Sequence, residues 1–182
     1  MDADFWVALA LGSAITVVVA VIAHVRSNRR PGLIYMITSG VVIEGNPARE
    51  IGVTYKGEPV ERLSRTLVLI GNMGKAPLTS HQIAPKDPIM IRLAGDTRIL
   101  STEVDDEGGI HGVSVHDGPE ENDVKSLVVG FDYLNPGDNF RIFITHTGEQ
   151  PTSVEPSGTI IGGMRQVVFH LKPTKRTGFL EV

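Results

Sequence analysis

The feature that most constrains this chain is an uninterrupted apolar run near its amino terminus. Phe5 to Val25 comprises 21 residues, and His24 is the only ionisable side chain among them. At about 1.5 Å rise per residue, a helix of this length extends roughly 31 Å, about the hydrocarbon thickness of a bilayer. A cleaved signal peptide is the alternative, but it needs a basic start and a shorter apolar run, whereas Asp2 and Asp4 open this chain. The run therefore predicts a transmembrane helix over residues 5–25.

The charges that flank the run predict its orientation. Arg26, Arg29 and Arg30 follow it directly, and cations close to the end of a first helix favour the cytoplasmic side. The chain also has no cysteine and no Asn-x-Ser/Thr acceptor for glycosylation. We expect a single-pass protein of the inner (plasma) membrane, with residues 1–4 outside, a basic linker over 26–32, and the remainder in the cytoplasm.

Within the run, small residues recur every four positions at Ala8, Gly12, Thr16 and Ala20. Such a stripe lets two helix backbones approach closely in lipid. It predicts a homo-oligomer that assembles through the membrane helix.

After Pro31-Gly32 the pattern changes to short β-branched runs separated by turn residues, and the chain contains 20 Gly and 11 Pro. The predicted strands are Leu33–Thr38, Val41–Glu44, Ile51–Tyr55, Arg65–Ile70, Ile89–Leu93, Arg98–Val104, Gly112–His116, Ser126–Phe131, Phe140–His146 and Gly163–Leu171. This spacing favours an all-β domain over 33–171, an antiparallel Ig-like β-sandwich, followed by a tail over 172–182. A closed β-barrel is the alternative.

Several kinds of chemistry find no support in the sequence. The absence of cysteine excludes thiol catalysis and thiolate metal sites, and the chain has no Walker, Gly-x-Ser-x-Gly, His-Glu-x-x-His or dinucleotide motif. A net charge of -4 argues against general nucleic-acid binding. We therefore expect a protein that is not an enzyme and that has no cofactor and no metal.

One local excess of positive charge suggests a binding site. It comprises Arg62, Arg65, Lys75, Arg92 and Arg98, to which Lys86 can be added, in a stretch with few acids. Guanidinium and ammonium groups suit oxyanions, so these residues are candidates for binding a small anionic ligand such as a nucleotide. Scattered positions on the wet faces of strands are the alternative interpretation.

The acidic segments and the histidines carry weaker signals. Residues 105–109 and 117–123 are rich in carboxylates and turn residues, which predicts solvated hairpin loops. His111 and His116 are predicted on one strand with opposite facing, so they do not form a metal pair. His81, His146 and His170 are expected to be ordinary strand or loop residues.

Five sequence stretches carry a resemblance to a known group of proteins. They are Gly52–Val60, Thr66–Gly74, Ile83–Ile89, Arg98–Ser101 and Leu134–Asp138. Together they resemble a group of bacterial hypothetical membrane proteins that share an N-terminal membrane helix and a β-sandwich, over about residues 33–147. By architecture alone the chain is also similar to anti-phage membrane effectors, in which a cytosolic β-rich domain senses a nucleotide and membrane helices assemble. The resemblance implies no catalytic residue.

These observations lead to two functional hypotheses. The first is a non-enzymatic recognition domain that binds a small anionic ligand or a protein and signals through helix assembly, with antiviral defence as the role that the architecture suggests. The second is a structural accessory subunit of a membrane complex.

Overall fold

A computed structural model describes residues 29–44, 53–93, 97–119, 124–148 and 154–171. This part of the chain is all-β, as predicted. Its strands are β1 Leu33–Glu44, β2 Val53–Tyr55, β3 Glu58–Val60, β4 Arg62–Asn72, β5 Leu78–Thr79, β6 Met90–Leu93, β7 Ile99–Asp105, β8 Ser114–Asp117, β9 Lys125–Gly130, β10 Tyr133–Leu134, β11 Asn139–His146, β12 Val154–Ser157 and β13 Val167–Leu171. Short 3-10 turns occur at Ser80–Gln82 and Glu107–Gly109.

The membrane prediction falls on a different part of the chain. Phe5–Val25, with its small-residue stripe, lies outside the described residues, as does the tail over 172–182. No helix in the described ranges has the length and apolar character needed to cross a bilayer.

The larger sheet has five strands in the order β13-β1-β4-β11-β7. Its pairs are antiparallel except that of β1 with β13, which is parallel. The central strand β4 alternates buried and less buried side chains, and β11 shows the same period of two. This alternation directs one face of the sheet to the core and leaves the other face partly wet.

A second sheet has four antiparallel strands in the order β12-β6-β9-β8. The two sheets supply side chains to one apolar core, so each sheet covers the inner face of the other. The core comprises Leu33, Tyr35, Ile37, Val68, Ile70, Leu78, Ile89, Ile91, Leu93, Leu127, Val129, Phe131, Leu134, Phe140, Ile142, Ile144, Val154 and Ile160. Burying a large apolar side chain contributes about 1.5–3 kcal/mol, so this core dominates stability.

Five strands differ most from the sequence predictions. The two runs predicted on either side of Gly40 form one strand, β1, because Gly40 stays paired with Arg65 and a bulge between Val41 and Ile43 absorbs the irregularity. Strands β5 and β10, which have two residues each and pair with one another, were not predicted. Strands β3 and β12 were not predicted either. Each of these two contains a proline, Pro59 or Pro156, and lies at the edge of its sheet, where a missing N–H is tolerated.

The register defines the end of the sheet that receives the chain from the predicted membrane helix. Leu33 pairs with Asn72, and Gly71 pairs with Asn139, so β1 begins, β4 ends and β11 begins together. Strand β7 also ends there, because Asp105 pairs with Arg141. We call this the junction end.

Asn72 ties the junction end together. Its side chain is buried, and its Oδ1 accepts hydrogen bonds from the N–H groups of Gly32 at 3.1 Å and Gly74 at 2.9 Å. Its Nδ2 donates to the carbonyls of Ala76 and Leu134 at 2.8 and 2.9 Å. The last residues of the predicted linker over 26–32 are therefore fixed to the domain.

Candidate functional site

A cleft of about 420 Å³ opens at the junction end beside β7 and β11. Strand ends and the loops that follow them supply its walls. The lining residues are Asp105, Glu107, Ile110, His111, Tyr133, Asn135, Gly137, Asp138, Asn139, Phe140 and Arg141. The cleft combines carboxylates, aromatic rings and one guanidinium group.

His111 lies at the base of the cleft between two carboxylates. Its Nδ1 forms a short hydrogen bond with Asp106, and its Nε2 lies 3.3 Å from Asp138 Oδ2. The backbone N–H of His111 also donates to Asp106 Oδ2 at 3.1 Å. The side chains of His111 and Asp106 are only 10% and 6% exposed, so solvent screens their interaction weakly. We refer to these three residues as the His111 clamp.

The surroundings of the clamp shift the pKa values of its members. Burial lowers the pKa of His111, but the hydrogen bonds and negative charges of Asp106 and Asp138 outweigh it and raise the pKa above 6.5. The backbone hydrogen bond from Asn135 is the main cause that lowers the pKa of Asp138, and His111 contributes. The clamp therefore favours an imidazolium held between two carboxylates.

Turn chemistry positions Asp138. The Asn135 N–H donates to Asp138 Oδ2 at 2.8 Å, and the Asp138 N–H donates back to the Asn135 carbonyl at 3.0 Å. Gly137 has φ 94° and donates its N–H to the Asn72 carbonyl. Positive φ favours glycine here, and the turn is held on the same residue that fixes the linker.

Close packing positions His111 from the other side. Gly112 has φ 61°, and a Cβ there would lie 2.4 Å from Asp132 Oδ2. The Asp132 N–H donates to the His111 carbonyl at 2.8 Å, and the rings of His111 and Tyr133 are 5.9 Å apart. These contacts leave little freedom for the imidazole.

The wall of the cleft carries an exposed ion pair. Arg141 Nη1 lies 3.0 Å from Asp105 Oδ2, and both side chains are 45% exposed. Because this pair is close to neutral, Glu107 and the clamp determine the charge of the cleft, which is acidic. Such a surface suits hydrogen-bond donors and cations.

The structure does not bring the predicted anion-binding residues together. Arg65 pairs with Glu103 at 3.1 Å and stacks over the Phe143 ring, and Arg98 pairs with Glu58 at 3.3 Å. These two cations are occupied by carboxylates on the surface.

The other three predicted cations are dispersed. Arg92 lies on β6 of the smaller sheet and donates to Ser157 Oγ at 2.9 Å. Arg62 begins β4, whereas Lys75 follows its opposite end, so about 30 Å or more separates them. None of the five lines the cleft.

A second buried histidine lies at the opposite end of the larger sheet. His146 accepts a hydrogen bond at Nδ1 from the Gly148 N–H at 3.1 Å, so its Nε2 carries the proton and donates to Thr66 Oγ1 at 2.8 Å. Thr66 Oγ1 lies 2.5 Å from Ser39 Oγ. Burial lowers the pKa of His146 and keeps the ring neutral. This polar network is sealed from solvent and supports the fold.

Sequence reasoning missed the clamp. It interpreted residues 105–109 as a solvated loop, whereas Asp106 is buried against His111. It also placed His111 on a strand, whereas β8 begins only at Ser114. The available signal was Asp106 five residues before a His-Gly pair. Within the described ranges, no group of three His, Asp or Glu side chains is arranged to hold a metal ion.

Comparisons with known proteins add little to this geometry. No protein-family model and no curated protein matches the chain. Two crystal structures of an M1 zinc metallopeptidase, one bound to L-tryptophan and one from Deinococcus radiodurans bound to a Tyr-Ser-Ala substrate, are 12% identical with a TM-score of 0.30. The alignment covers 66% of this chain and only 20% of theirs.

Proposed function

We propose that this chain is a non-enzymatic recognition protein, anchored in the inner membrane by one N-terminal helix, with an Ig-like β-sandwich in the cytoplasm. The cleft beside the His111 clamp carries this proposal, because it is a concave surface with several polar groups in fixed positions. The distinct edge strands of the two sheets, β13 and β7 in one and β12 and β8 in the other, favour a sandwich over a closed barrel.

The charge of the cleft favours a protein partner over a small anion. Asp105, Glu107 and Asp138 line the cleft, and Arg141 is already paired with Asp105. An anion placed there would be repelled by carboxylates, whereas a lysine or arginine side chain of a partner would be attracted. Tyr133, which is half-buried, would cover the aliphatic part of such a side chain.

The clamp geometry favours binding over catalysis. A general base needs a ring nitrogen that faces the substrate. Both nitrogens of His111 instead face carboxylates, Asp106 on one side and Asp138 on the other. The imidazole therefore serves to position the cleft wall.

Signalling would pass from the cleft to the membrane helix through Asn72. This side chain bonds the Gly32 N–H, and its backbone bonds the turn that carries Asp138. A partner that shifts this turn would therefore bias the segment that leaves the membrane, and self-association through Ala8, Gly12, Thr16 and Ala20 would report the shift. A role in anti-phage defence stays a prediction from architecture.

Site-specific photocrosslinking in native membranes tests the recognition proposal. A photoreactive phenylalanine analogue replaces Tyr133 in the cleft or, as the matched control, Phe143, which is also half-buried but faces away from the core. We expect a discrete crosslinked protein from position 133 alone, weakened by Glu107→Gln. Equal products from both positions, or none from position 133, would overturn the proposal.

One observation favours the alternative of a structural accessory subunit. All five residues of β13, Val167–Leu171, are exposed although most are apolar, and β13 is an edge strand. Another subunit could pair with such an edge. In that case Val168→Lys would abolish stoichiometric co-purification with a neighbouring subunit, while Glu107→Gln would leave it unchanged.

A further inference from the structure

Exposed apolar side chains gather where the domain meets the predicted membrane helix. Met73 is 69% exposed, Met164 is 46% exposed and Ile161 is 55% exposed. Two of these residues bond directly to the incoming segment, since the Met73 N–H donates to the Gly32 carbonyl and the Met164 N–H to the Pro31 carbonyl, each at 2.8 Å. Met73 and Met164 therefore lie on one loop surface at the junction end, and Ile161 lies three residues before Met164, in the turn that leads to it.

Positive charge surrounds this loop surface. Arg29, Arg30, Lys75 and Arg165 are all exposed, and the Lys75 N–H donates to the Arg30 carbonyl at 2.9 Å. None of these four cations forms an ion pair with a carboxylate in the described ranges. Apolar tips framed by unneutralised cations are the composition of a surface that contacts anionic lipid.

The length of the linker places this surface close to the bilayer. The predicted span ends at Val25, and the Arg30 carbonyl is already hydrogen-bonded to the domain. Five residues reach at most about 18 Å when fully extended. The headgroup layer is itself about 5–7 Å thick, so the loops lie at or just beyond it.

We infer that the junction end docks on the anionic headgroup layer of the cytoplasmic leaflet, with Met73, Met164 and Ile161 entering the interface and Arg29, Arg30, Lys75 and Arg165 contacting lipid phosphates. This inference rests on the proposed membrane anchor. It adds a second contact with lipid, made by the β domain itself.

The docked orientation has a consequence for the cleft. The basic loops adjoin β1 and β13 on one side of the sheet, whereas Asp105 and Asp138 lie beside β7 and β11 on the other. Asp105 on β7 lies three strand spacings from β1, roughly 14 Å, whereas Asp138 lies nearer, in the turn that is hydrogen-bonded to Asn72. Anionic headgroups attract the first side and repel the second, so docking tilts the cleft away from the bilayer and leaves it open to a partner.

The absence of cysteine allows a direct test with single-cysteine labels on the full chain in lipid nanodiscs. A fluorophore is attached at Met73→Cys, at Met164→Cys or, as the control, at Val42→Cys. Val42 is also apolar and 55% exposed, but it lies near the opposite end of β1. Quenching by lipids with a nitroxide on the headgroup reports contact with the bilayer.

We expect quenching at positions 73 and 164 but not at 42 in discs that contain phosphatidylserine. Most of this quenching should be lost in discs of phosphatidylcholine alone. It should also be lost in the charge-reversed double variant Lys75→Glu, Arg165→Glu. Salt at 1 M should do the same, because it shortens the screening length to about 3 Å. Circular dichroism of each variant confirms that the fold is retained.

Two results would overturn the inference. One is a label at position 73 that stays as unquenched as the label at 42. The other is equal quenching in both lipid compositions, which would remove the role of the cations. Alkaline carbonate extraction of the same samples distinguishes a failure of the docking inference from a failure of the membrane anchor. A chain that carbonate extracts from the bilayer refutes the proposed function itself.

Discussion

The pKa values of the two buried histidines of this domain are shifted in opposite directions. His111 lies at the junction end between Asp106 and Asp138, and its pKa is raised. His146 lies at the other end of the larger sheet against Thr66, and its pKa is lowered. The same side chain thus favours the charged form in one place and the neutral form in the other.

The difference shows that the groups in contact with a histidine, more than its burial, decide the protonation state of the ring. Burial disfavours the charged ring at both positions. At His111 two carboxylates compensate for that cost, whereas at His146 the hydroxyl of Thr66 and the N–H of Gly148 bring no charge. A charged ring beside a cleft can respond to a ligand, but a neutral ring in a sealed network can only support the fold.

The largest effect should come from removing the sealed network. His146→Ala leaves a cavity and deprives Thr66 and the Gly148 N–H of a partner, so we expect a loss of about 3 kcal/mol in the free energy of unfolding. Urea unfolding of the full chain in detergent, followed by circular dichroism, measures it. His170→Ala on exposed β13 is the control and should change stability by less than about 0.5 kcal/mol. Equal losses in both variants would show that His146 is not structural.

The pKa shifts of the two histidines also predict that their contributions to the free energy of unfolding change with pH in opposite directions. Because the folded pKa of His146 lies below the unfolded value of about 6.5, its contribution is complete above that pH and is lost as pH falls below it. The folded pKa of His111 lies above that value, so its contribution is complete below about pH 6.5 and is lost as pH rises through the folded pKa. Unfolding between pH 5 and 8.5 tests both signs.

Single substitutions assign each slope to its residue. His111→Gln should flatten the alkaline limb alone, and His146→Gln should flatten the acid limb alone. If either variant flattened both limbs, the two rings would be coupled and the contrast between them would fail.

The contrast between the two regions also explains what could be predicted from sequence. The more uniformly apolar run Arg65–Ile70 predicts a central strand, and the alternating run that begins at Phe140 predicts a half-buried one; β4 is central in its sheet and β11 alternates, because such patterns are local properties. Strands β3 and β12 escaped prediction because Pro59 and Pro156 look like strand breakers, although both lie on edges.

The clamp could not be predicted for a different reason. Asp138 lies 27 residues after His111, and turns, not a periodic element, bring them together. The cations that sequence proximity grouped, such as Arg62 and Lys75, are separated by the length of β4. Loop geometry decides both outcomes, and no hydrophobic pattern encodes it.

A smaller effect should follow from neutralising the clamp. Asp106→Asn removes the charge that faces His111 Nδ1 while keeping the shape, so we expect a loss of about 1–3 kcal/mol. The His111 pKa should also fall, as followed by NMR titration of the imidazole. Asp87→Asn, a carboxylate bonded to Thr159 and absent from the clamp, is the control and should leave that pKa unchanged. An unaltered His111 pKa in Asp106→Asn would contradict the clamp.

The smallest stability effect should come from two exposed ion pairs, of which only one borders the cleft. Arg141–Asp105 joins the neighbouring strands β11 and β7 at 3.0 Å, and Arg65–Glu103 reaches from β4 across β11 to β7 at 3.1 Å; both pairs are exposed. Double-mutant cycles should give about 0.2–1 kcal/mol for each pair, because both are exposed to solvent. Only the first pair borders the cleft, so Arg141→Gln should alter crosslinking from position 133 while Arg65→Gln should not. Equal crosslinking in both variants would mean that the cleft is ordinary surface, whatever its volume.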